Sequence, residues 1–465
     1  MLRIFTIFSL LINLSCVAFA QTTDEDAIFI KKIHEQTLTR GKCYEWLREL
    51  CEKAPGRIAG SQAYQNAVEY TSKKLLEIGF DTVFLQPVKV QYWNRGGTEI
   101  ARLSWRVDDQ NYMEIPIDIL SLGNSVGTGT EGIKGEIIEV NSLDEVDSLG
   151  NAVAGKIVFF NRPMDASHVN TFRAYGSAVD QRAYGASKAA EHGAVAVIVR
   201  SMTLALDDFP HTGTLVYKEG IKKIPAVAVS TNQANFISSL IARGVEPAIY
   251  IENHCRFEGE RMDYNVIAEI KGSDKPEEFI IVSGHLDAWD VGEGAHDDGA
   301  GCVQAMEVLH TLKSLNYRPK RTLRCVLFAN EENGLAGGLE YARKAKENNE
   351  FHLLAVESDA GGFSPRGFSF DAHPDVIISQ YRSVSKFLPL FESYGIFFET
   401  GGSGADINPL KDMKGLLCGL RPDSQRYFDY HHTAIDTFDK VHKRELELGA
   451  AAMAFLVYIV DKYGL

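Results

Sequence analysis

The predicted fold depends on residues 279–301, Phe279-Ile-Ile-Val-Ser-Gly-His-Leu-Asp-Ala-Trp-Asp-Val-Gly-Glu-Gly-Ala-His-Asp-Asp-Gly-Ala-Gly301. Its apolar run 279–282 is typical of a strand that is buried on both faces. The run is followed by His285 and Asp287, and two aspartates at 297–298 precede a segment with helical periodicity. Ligands of open α/β sheets bind at the carboxyl ends of the strands. The stretch therefore predicts a site of imidazole and carboxylate groups at one edge of a sheet.

Two more buried strands are predicted downstream, and each of them also ends in acidic residues. Residues 323–329 precede Glu331-Glu332, and residues 353–356 precede Glu357-Ser358-Asp359. Helical periodicity between the strands indicates a largely parallel sheet with helices on both faces. The predicted fold class is α/β, with a mostly parallel central sheet flanked by helices.

A fourth group of ionisable residues, Tyr430-His431-His432-Thr433, lies near the C-terminus. A single histidine after a strand is usually a structural side chain. Several carboxylates and imidazoles gathered at one edge are costly to bury unless a cation neutralises them. The four groups together therefore indicate a metal-dependent hydrolase.

Composition limits the cellular location and the classes of partner. With 48 basic and 62 acidic side chains the net charge is −14, which argues against nucleic acid or anionic lipid as a partner. An apolar stretch near the N-terminus, followed by Ala18-Phe19-Ala20, predicts a signal peptide at residues 1–20 and a secreted or periplasmic protein. This stretch is shorter than the ~20 residues of a membrane span. The six other cysteines show no metal-binding or redox spacing. Cys302, Cys325 and Cys418 lie in apolar stretches and are predicted to be buried thiols, and the sequence does not decide whether any disulfide forms.

The motifs in the strand ends resemble those of a known enzyme family. Gly284–Asp287, Asp297–Gly301, Asn330–Glu332, Glu357–Gly361 and His431–Thr433 follow one another in the order found in the co-catalytic di-zinc exopeptidases. The resemblance extends from about Pro55 to the C-terminus. It implies a three-layer peptidase domain, two Zn²⁺ per chain, short peptides with free ends as substrates, and a homodimer.

The resemblance also implies a domain organisation. Residues 21–122 and 259–465 would form the two parts of the peptidase domain, and residues 123–258 an inserted, β-rich protease-associated domain. The insert contains no dense group of His, Asp and Glu, and it is interpreted as a lid or an interaction module. Residues 21–54 are either a removed propeptide or part of the mature chain.

The resemblance implies a role for each residue of the site. The implied ligands are His285 and Asp359 for one zinc, Glu332 and His432 for the other, and Asp297 as the bridge between them. Glu331 would be the general base, and Asp287 would accept the free ring N–H of His285. His432 is preferred to His431 because the family's ligand directly precedes Thr or Ser, and His431 is assigned to the pocket wall. The peptide bond between Asp297 and Asp298 is expected to be cis.

The residue types suit this chemistry on physical grounds. Imidazole and carboxylate are ligands that Zn²⁺ prefers, and two neighbouring ions need a shared carboxylate to offset their repulsion. A carboxylate that is not a ligand must take the proton of the attacking water and pass it to the leaving amine. An acceptor for the second ring nitrogen of a ligating histidine fixes its tautomer.

Substrate contacts and other functions remain open at this stage. Ser403 and Gly404 lie in a glycine-rich loop that resembles a family loop beside the active site, and a plain turn is the alternative interpretation. No residue decides whether the amino or the carboxyl end of a peptide is recognised. The alternatives are a glutaminyl cyclase-like transferase, an inactive receptor-like binding protein, and a serine hydrolase, although Ala405 breaks the G-x-S-x-G motif.

Overall fold

The computed structural model describes residues 24–465, which form two eight-stranded sheets, each with its own hydrophobic core. The predicted signal peptide, residues 1–20, lies outside the described residues. Among residues 24–465, no helix is both long enough and apolar enough to cross a bilayer. The six cysteines of this part of the chain are all buried and free, which agrees with the prediction for Cys302, Cys325 and Cys418.

Helix α1 covers residues 24–40. The other helices are α2 (Cys43–Lys53), α3 (Gln62–Ile78), α4 (Leu143–Leu149), α5 (Thr171–Gly176), α6 (Val179–Glu191), α7 (Thr231–Ala242), α8 (Ala300–Ser314), α9 (Ala336–Glu347), α10 (Ile377–Ser385), α11 (Leu388–Glu392), α12 (Tyr427–Tyr430) and α13 (Lys443–Tyr463).

The strands are β1 (Thr82–Asn94), β2 (Ile100–Arg106), β3 (Tyr112–Pro116), β4 (Leu120–Ser121), β5 (Ile133–Val140), β6 (Ile157–Phe160), β7 (Ala196–Arg200), β8 (Ala226–Val229), β9 (Ala248–Glu252), β10 (Arg256–Ile270), β11 (Lys275–His285), β12 (Arg321–Phe328), β13 (Phe351–Glu357), β14 (Pro365–Asp371), β15 (Phe397–Thr400) and β16 (Leu416–Pro422).

The first sheet has the order β1-β10-β12-β11-β13-β16-β14-β15. Its central strands β12, β11, β13 and β16 run parallel, and antiparallel pairs β1–β10, β10–β12 and β14–β16 flank them. The predicted α/β class with a central parallel sheet is therefore confirmed. The three strands that end in ionisable residues are direct neighbours, so their carboxyl ends meet at one edge.

Helices cover both faces of this sheet. Ile280 and Val282 of β11 pack in the core formed with α2, α3, α8 and α13, whereas Ile281 packs with Tyr341 of α9 on the opposite face. A strand with both faces covered explains the unbroken apolar run in the sequence. Helix α13 is buried along nearly its whole length, as its apolar sequence predicts.

The N-terminal helices belong to the same folded unit. Ile30 of α1 is buried in the core of the first sheet, and the Tyr458 hydroxyl donates to Asp26 over 2.8 Å. Ser61 caps α3 by accepting a hydrogen bond from the backbone N–H of Tyr64, and Gly79 ends the helix with φ 75°. Both ends of α3 match the sequence signals for a cap and a stop.

The second sheet is formed by the insert, defined here as residues 95–255; the rest of the described chain is called the main domain. Its strand order is β3-β2-β9-β5-β6-β7-β8-β4. The insert begins earlier than the predicted residue 123, because β2 pairs with β9 and β4 pairs with β8. The parallel strands β5–β8 and helices α4–α7 give it a mixed α/β character rather than a purely β-rich one.

Arg57 holds the loop that leads from β11 to α8. Its side chain is fully buried and donates hydrogen bonds to three backbone carbonyls: Nε to Leu286 (2.6 Å), Nη1 to Glu293 (2.6 Å) and Nη2 to Gly294 (2.9 Å). A buried carbonyl without a partner is costly. One guanidinium therefore fixes both ends of the loop between the strand that carries His285 and the segment that carries Asp297.

We expect Arg57→Met to destabilise the protein by about 3 kcal/mol or more, because three backbone carbonyls lose their fully buried donor. Urea denaturation followed by circular dichroism measures the change. Arg48→Met is the matched control, since Arg48 forms ion pairs with Glu45 and Glu52 on the surface of α2, where water screens them. Equal shifts of the urea midpoint in both variants would contradict the assigned role of Arg57.

Candidate metal centre

The ends of the parallel strands bring together two groups of candidate ligands that share one residue. The first group consists of His285, Asp297 and Asp359, and the second of Asp297, His431 and His432. Within each group one ligand atom per residue lies within 4.8 Å of the others. The convergence expected from the sequence is therefore present in the structure.

Asp297 lies between the two groups and directs one carboxylate oxygen to each. Its Oδ1 is 3.2 Å from Nε2 of His285, and its Oδ2 is 3.2 Å from Nε2 of His432. Two cations close together need a shared carboxylate to offset their repulsion. The position of Asp297 suits this bridging role.

Each side of Asp297 has a further carboxylate. Oδ1 of Asp359 is 3.5 Å from Nε2 of His285, and Oε2 of Glu332 is 3.2 Å from Nε2 of His432. The arrangement thus offers one imidazole, one terminal carboxylate and one bridging oxygen on each side. This is the donor set that the sequence analysis assigns to two zinc ions.

Several polar atoms at this point have no hydrogen-bond partner among the described residues. They include Nε2 of His285, Oδ2 of Asp297 and Oε1 of Glu332, and all three atoms are buried. Buried polar groups are normally satisfied, so a cluster of unsatisfied ones needs an explanation. Nitrogen and oxygen donors that converge without bonding to one another fit divalent cations of the zinc type.

The two adjacent histidines differ in geometry. Nε2 of His432 lies 3.2 Å from both Asp297 and Glu332, whereas Nε2 of His431 is 3.7 Å from Asp297. The rings stack with a centroid separation of 3.4 Å. His432 has φ 64°, a left-handed backbone that is uncommon outside glycine and that turns its ring toward the acids. These distances favour His432 as the ligand and leave His431 in the cavity wall.

Asp297 is held in place by hydrogen bonds between carboxylates and nearby backbone N–H groups. Asp436 accepts from the N–H groups of His296 (2.8 Å) and Asp297 (3.1 Å). Asp298 accepts from the N–H groups of His285 and Gly301, both at 3.0 Å. The Asp297–Asp298 peptide bond is cis, as expected from the resemblance. Asp436 has no role predicted from the sequence, although it stands in the same cluster as His432.

Asp287 supports the site differently from the sequence-based expectation. Its backbone carbonyl, not its carboxylate, accepts the hydrogen bond from Nδ1 of His285 at 3.0 Å; the carboxylate oxygen is 3.7 Å away. The carboxylate instead accepts from the N–H groups of Glu331 (3.0 Å) and Glu332 (3.2 Å). Asp287 therefore orients the histidine through its main chain and the two glutamates through its side chain.

Burial and mutual repulsion shift the ionisation of the cluster. Burial raises the pKa of Glu331 well above its ordinary value, and the carboxylates of Asp359 and Glu332 add to this effect against the opposing influence of His285. Burial lowers the pKa of His432, but the neighbouring carboxylates outweigh it and raise that pKa to about 9. Metal ions bind the deprotonated ligands, so metal binding displaces such protons.

A cavity of about 640 Å³ opens over this cluster, between the main domain and the insert. Asp297, Glu331, Glu332, Asp359, His431 and His432 line one side of it. Ser403 and Gly404, predicted to meet substrate, do not line it. Gly404 packs against the carboxyl group of Glu357, and the Ser403 hydroxyl is buried and has no hydrogen-bond partner among residues 24–465. This placement gives no support to the serine-hydrolase alternative.

Arg182 lines the same cavity from the insert, and the sequence analysis did not identify it. Its side chain is buried, and Nε and Nη1 have no hydrogen-bond partner in the described part of the chain. The ring of Tyr175 lies 5.4 Å from its guanidinium carbon. In sequence it is one arginine in a polar helix, and only tertiary structure shows that it faces a pocket.

Known proteins with similar sequences establish the family. The model of peptidase family M28 matches residues 265–457. The chain is 34% identical to carboxypeptidase Q of Bos taurus over 90% of this chain and 85% of that protein. It belongs to peptidase family M28. Carboxypeptidase Q of Homo sapiens is also 34% identical over the same share of both chains. As an M28 member the protein is a peptidase, a hydrolase of peptide bonds, and a metallo-exopeptidase.

Solved structures of the M28 type share this architecture. A peptidase M28 precursor from Shewanella amazonensis superposes with a TM-score of 0.87 at 31% identity, covering 94% of this chain and 97% of that one. A zinc aminopeptidase from Bacillus subtilis gives a TM-score of 0.63 at 18% identity, covering 91% and 95% of the two chains, and shows the fold alone. The fold includes the insert, because the superpositions extend over nearly the whole chain.

We expect alanine variants of the two adjacent histidines to differ in metal content. His432→Ala should lose one bound ion per chain, because it removes the nitrogen that faces both Asp297 and Glu332. His431→Ala should retain its metal, since its ring is farther from the acids. Dialysed variants are compared by inductively coupled plasma mass spectrometry. Loss of metal from His431→Ala alone would reverse the assignment.

Proposed function

We propose that the protein is a di-zinc exopeptidase that hydrolyses short peptides, chiefly dipeptides with a free carboxyl end. The observation that carries this proposal is one cavity lined both by the ligand cluster around Asp297 and by the guanidinium of Arg182, whose Nε and Nη1 have no hydrogen-bond partner among residues 24–465. The name carboxypeptidase Q of the 34% identical relatives supports it. Secretion after removal of residues 1–20 and a homodimer are part of the same proposal.

Two zinc ions would be held by His285 and Asp359 on one side and by Glu332 and His432 on the other, with Asp297 between them. Zinc held there would lower the pKa of bound water to about 7 and would polarise the peptide carbonyl. The unsatisfied nitrogen and oxygen atoms of this cluster and the zinc aminopeptidase fold support the assignment.

Glu331 is proposed as the general base. It lines the cavity beside the ligands, and its neighbour Glu332 contacts His432. The Asp287 carboxylate accepts a hydrogen bond from the backbone N–H of Glu331 and so fixes the main chain from which this side chain projects. A raised pKa suits a carboxylate that must take a proton from water and deliver it to the leaving amine.

Glu331→Gln should lower kcat by at least ~10²-fold, because an amide cannot take the proton. Metal content should stay at two ions per chain, since Glu331 is not among the proposed ligands. Dipeptide turnover is measured together with bound metal. Glu340→Gln, on the exposed face of α9, is the control and should retain normal turnover. Near-normal turnover of Glu331→Gln would remove this residue from the mechanism.

Arg182 is proposed to bind the carboxylate of the substrate. Burying a cation without a counter-ion is costly, and no carboxylate of residues 24–465 forms an ion pair with it. A guanidinium offers two parallel N–H groups that match the two oxygens of a carboxylate. A peptide held there by its terminus would extend toward the ligand cluster in the same cavity.

The remaining walls of the cavity favour short substrates. Phe172 and Tyr175 of the insert stack on Tyr427 and Phe428 of the main domain, with ring centroids 5.2 and 4.8 Å apart. These contacts place aromatic walls beside the cluster, where an apolar side chain can be buried. The cavity volume of about 640 Å³ lies within the range of small-molecule sites.

Arg182→Met should lower kcat/KM for unblocked dipeptides by about 10²-fold, mainly through KM, because the variant cannot pair with the carboxylate. The same change should matter little for C-amidated dipeptides, which wild-type enzyme should already cleave poorly. Lys223→Met is the control, since Lys223 is the exposed cation on the cavity wall. Equal cleavage of free and C-amidated dipeptides by wild type would refute recognition of the carboxylate. Cleavage of N-blocked dipeptides tests whether the amino end is recognised instead.

A further inference from the structure

The two halves of the proposed metal centre differ in what orients their ligands. On the side of Asp359, the His285 ring is oriented entirely within the main domain. Its Nδ1 donates to the carbonyl of Asp287 over 3.0 Å, and its backbone N–H donates to Asp298 over 3.0 Å. No residue of the insert makes these contacts.

On the other side, His432 is held by the insert. Its Nδ1 donates to the carbonyl of Thr212 over 3.2 Å, and the backbone N–H of Thr212 donates to the carbonyl of His432 over 3.0 Å. A carbonyl can only accept, so Nδ1 carries the proton and Nε2 is free to face the acids. The reciprocal pair also fixes the backbone of His432 at its positive φ of 64°.

The second ligand on this side is attached to the same loop. The hydroxyl of Thr214 donates to the backbone carbonyl of Glu332 over 2.5 Å. Two residues of the insert that are almost adjacent in sequence thus contact both His432 and Glu332, whose side chains lie 3.2 Å apart. We name residues 211–215 the clamp loop.

The clamp loop is fixed to the body of the insert. The Thr212 hydroxyl donates to the carbonyl of Ser121 over 2.7 Å, and the backbone N–H of His211 donates to Ser201 Oγ over 2.8 Å. The N–H of Gly123 donates to the carbonyl of Gly213 over 3.0 Å. Three hydrogen bonds therefore anchor the loop to the body of the insert.

Gly213 makes the close approach feasible. Its φ is 133°, and a Cβ added there would lie 2.7 Å from Nδ1 of His432 and would also strike the guanidinium of Arg182. Any larger side chain at this position must displace the ring of the proposed ligand or the loop that holds it. Glycine thus permits direct contact between the insert and the ligand.

We propose that the clamp loop of the insert is a positioning element for one of the two metal sites: the site formed by Glu332 and His432 depends on the insert, and the site formed by His285 and Asp359 does not. The insert then has two roles, because it carries Arg182 and its clamp loop sets the affinity of one cation. This inference rests on the two-ion centre proposed above.

Zinc titration of metal-free protein, followed by calorimetry against a competing chelator, tests the inference without reference to activity. Gly213→Ala and Thr214→Val should each weaken one of two zinc sites by ~10- to 100-fold, the usual effect of losing a group that orients a ligand. The other site should keep its wild-type affinity. Equal weakening of both sites, or no weakening of either, overturns the proposal.

Gly220→Ala is the matched control for Gly213→Ala. Both glycines lie in the insert with positive φ, but a Cβ at Gly220 meets no atom within 4 Å. The control should bind two ions as wild type does. If Gly213→Ala fails to fold, Thr214→Val still decides the question, because it removes one hydroxyl and leaves the backbone conformation allowed.

Double variants identify which site is affected. In the Asp359→Ala background, which leaves the Glu332–His432 site, Thr214→Val should still weaken zinc binding. In the His432→Ala background it should have no further effect. If wild type itself bound a single ion, the two-ion function would fail; if it bound two ions and Thr214→Val changed neither, only the clamp loop would fail.

Discussion

The repulsion among buried carboxylates at the carboxyl ends of β11, β12 and β13 is the constraint on which the rest of this structure depends. Asp297, Glu332 and Asp359 lie close together, and the imidazoles of His285, His431 and His432 lie among them. Such a group is stable only when cations or protons neutralise it. The surrounding structure serves to hold the acids in place while they repel one another.

The fixed backbone around the site meets this need. Asp436 accepts hydrogen bonds from the N–H groups before the cis peptide, and Asp298 accepts one from the N–H of Gly301 after it. Arg57 donates to three carbonyls of the preceding loop. Asp287 secures the glutamates through their N–H groups. Most of these supports are side chains bonded to main chain, so the ligand atoms remain free of hydrogen bonds and available to a metal.

Much of the main domain could be predicted from local sequence. Buried strands carry unbroken apolar runs, α3 has a serine cap and a glycine stop, and the ionisable residues follow three strands that prove to be parallel neighbours. Periodicity and strand order were enough for this, because parallel strands place their ends at one edge. The pairing of His432 with Glu332 followed from the family motif rather than from local periodicity.

The features that escaped prediction depend on long-range contacts. The start of the insert was placed too late, since only the pairing of β2 with β9 reveals to which sheet β2 belongs. Arg182 and Thr212 stand in segments without unusual composition, and their importance comes from packing against a domain distant in sequence. Asp287 bonds to His285 as expected, but through its backbone carbonyl rather than its carboxylate. The spacing of the two residues does not distinguish these atoms.

The pairing of β1 with β10 has a consequence for how the insert is joined to the main domain. Asn94 lies opposite Arg256, so the chain leaves and returns through two adjacent strands of one antiparallel ribbon. A short turn could close that ribbon into an ordinary hairpin without rethreading the first sheet. The whole second sheet is thus an insertion at the tip of a hairpin, and two neighbouring, hydrogen-bonded strands join it to the main domain.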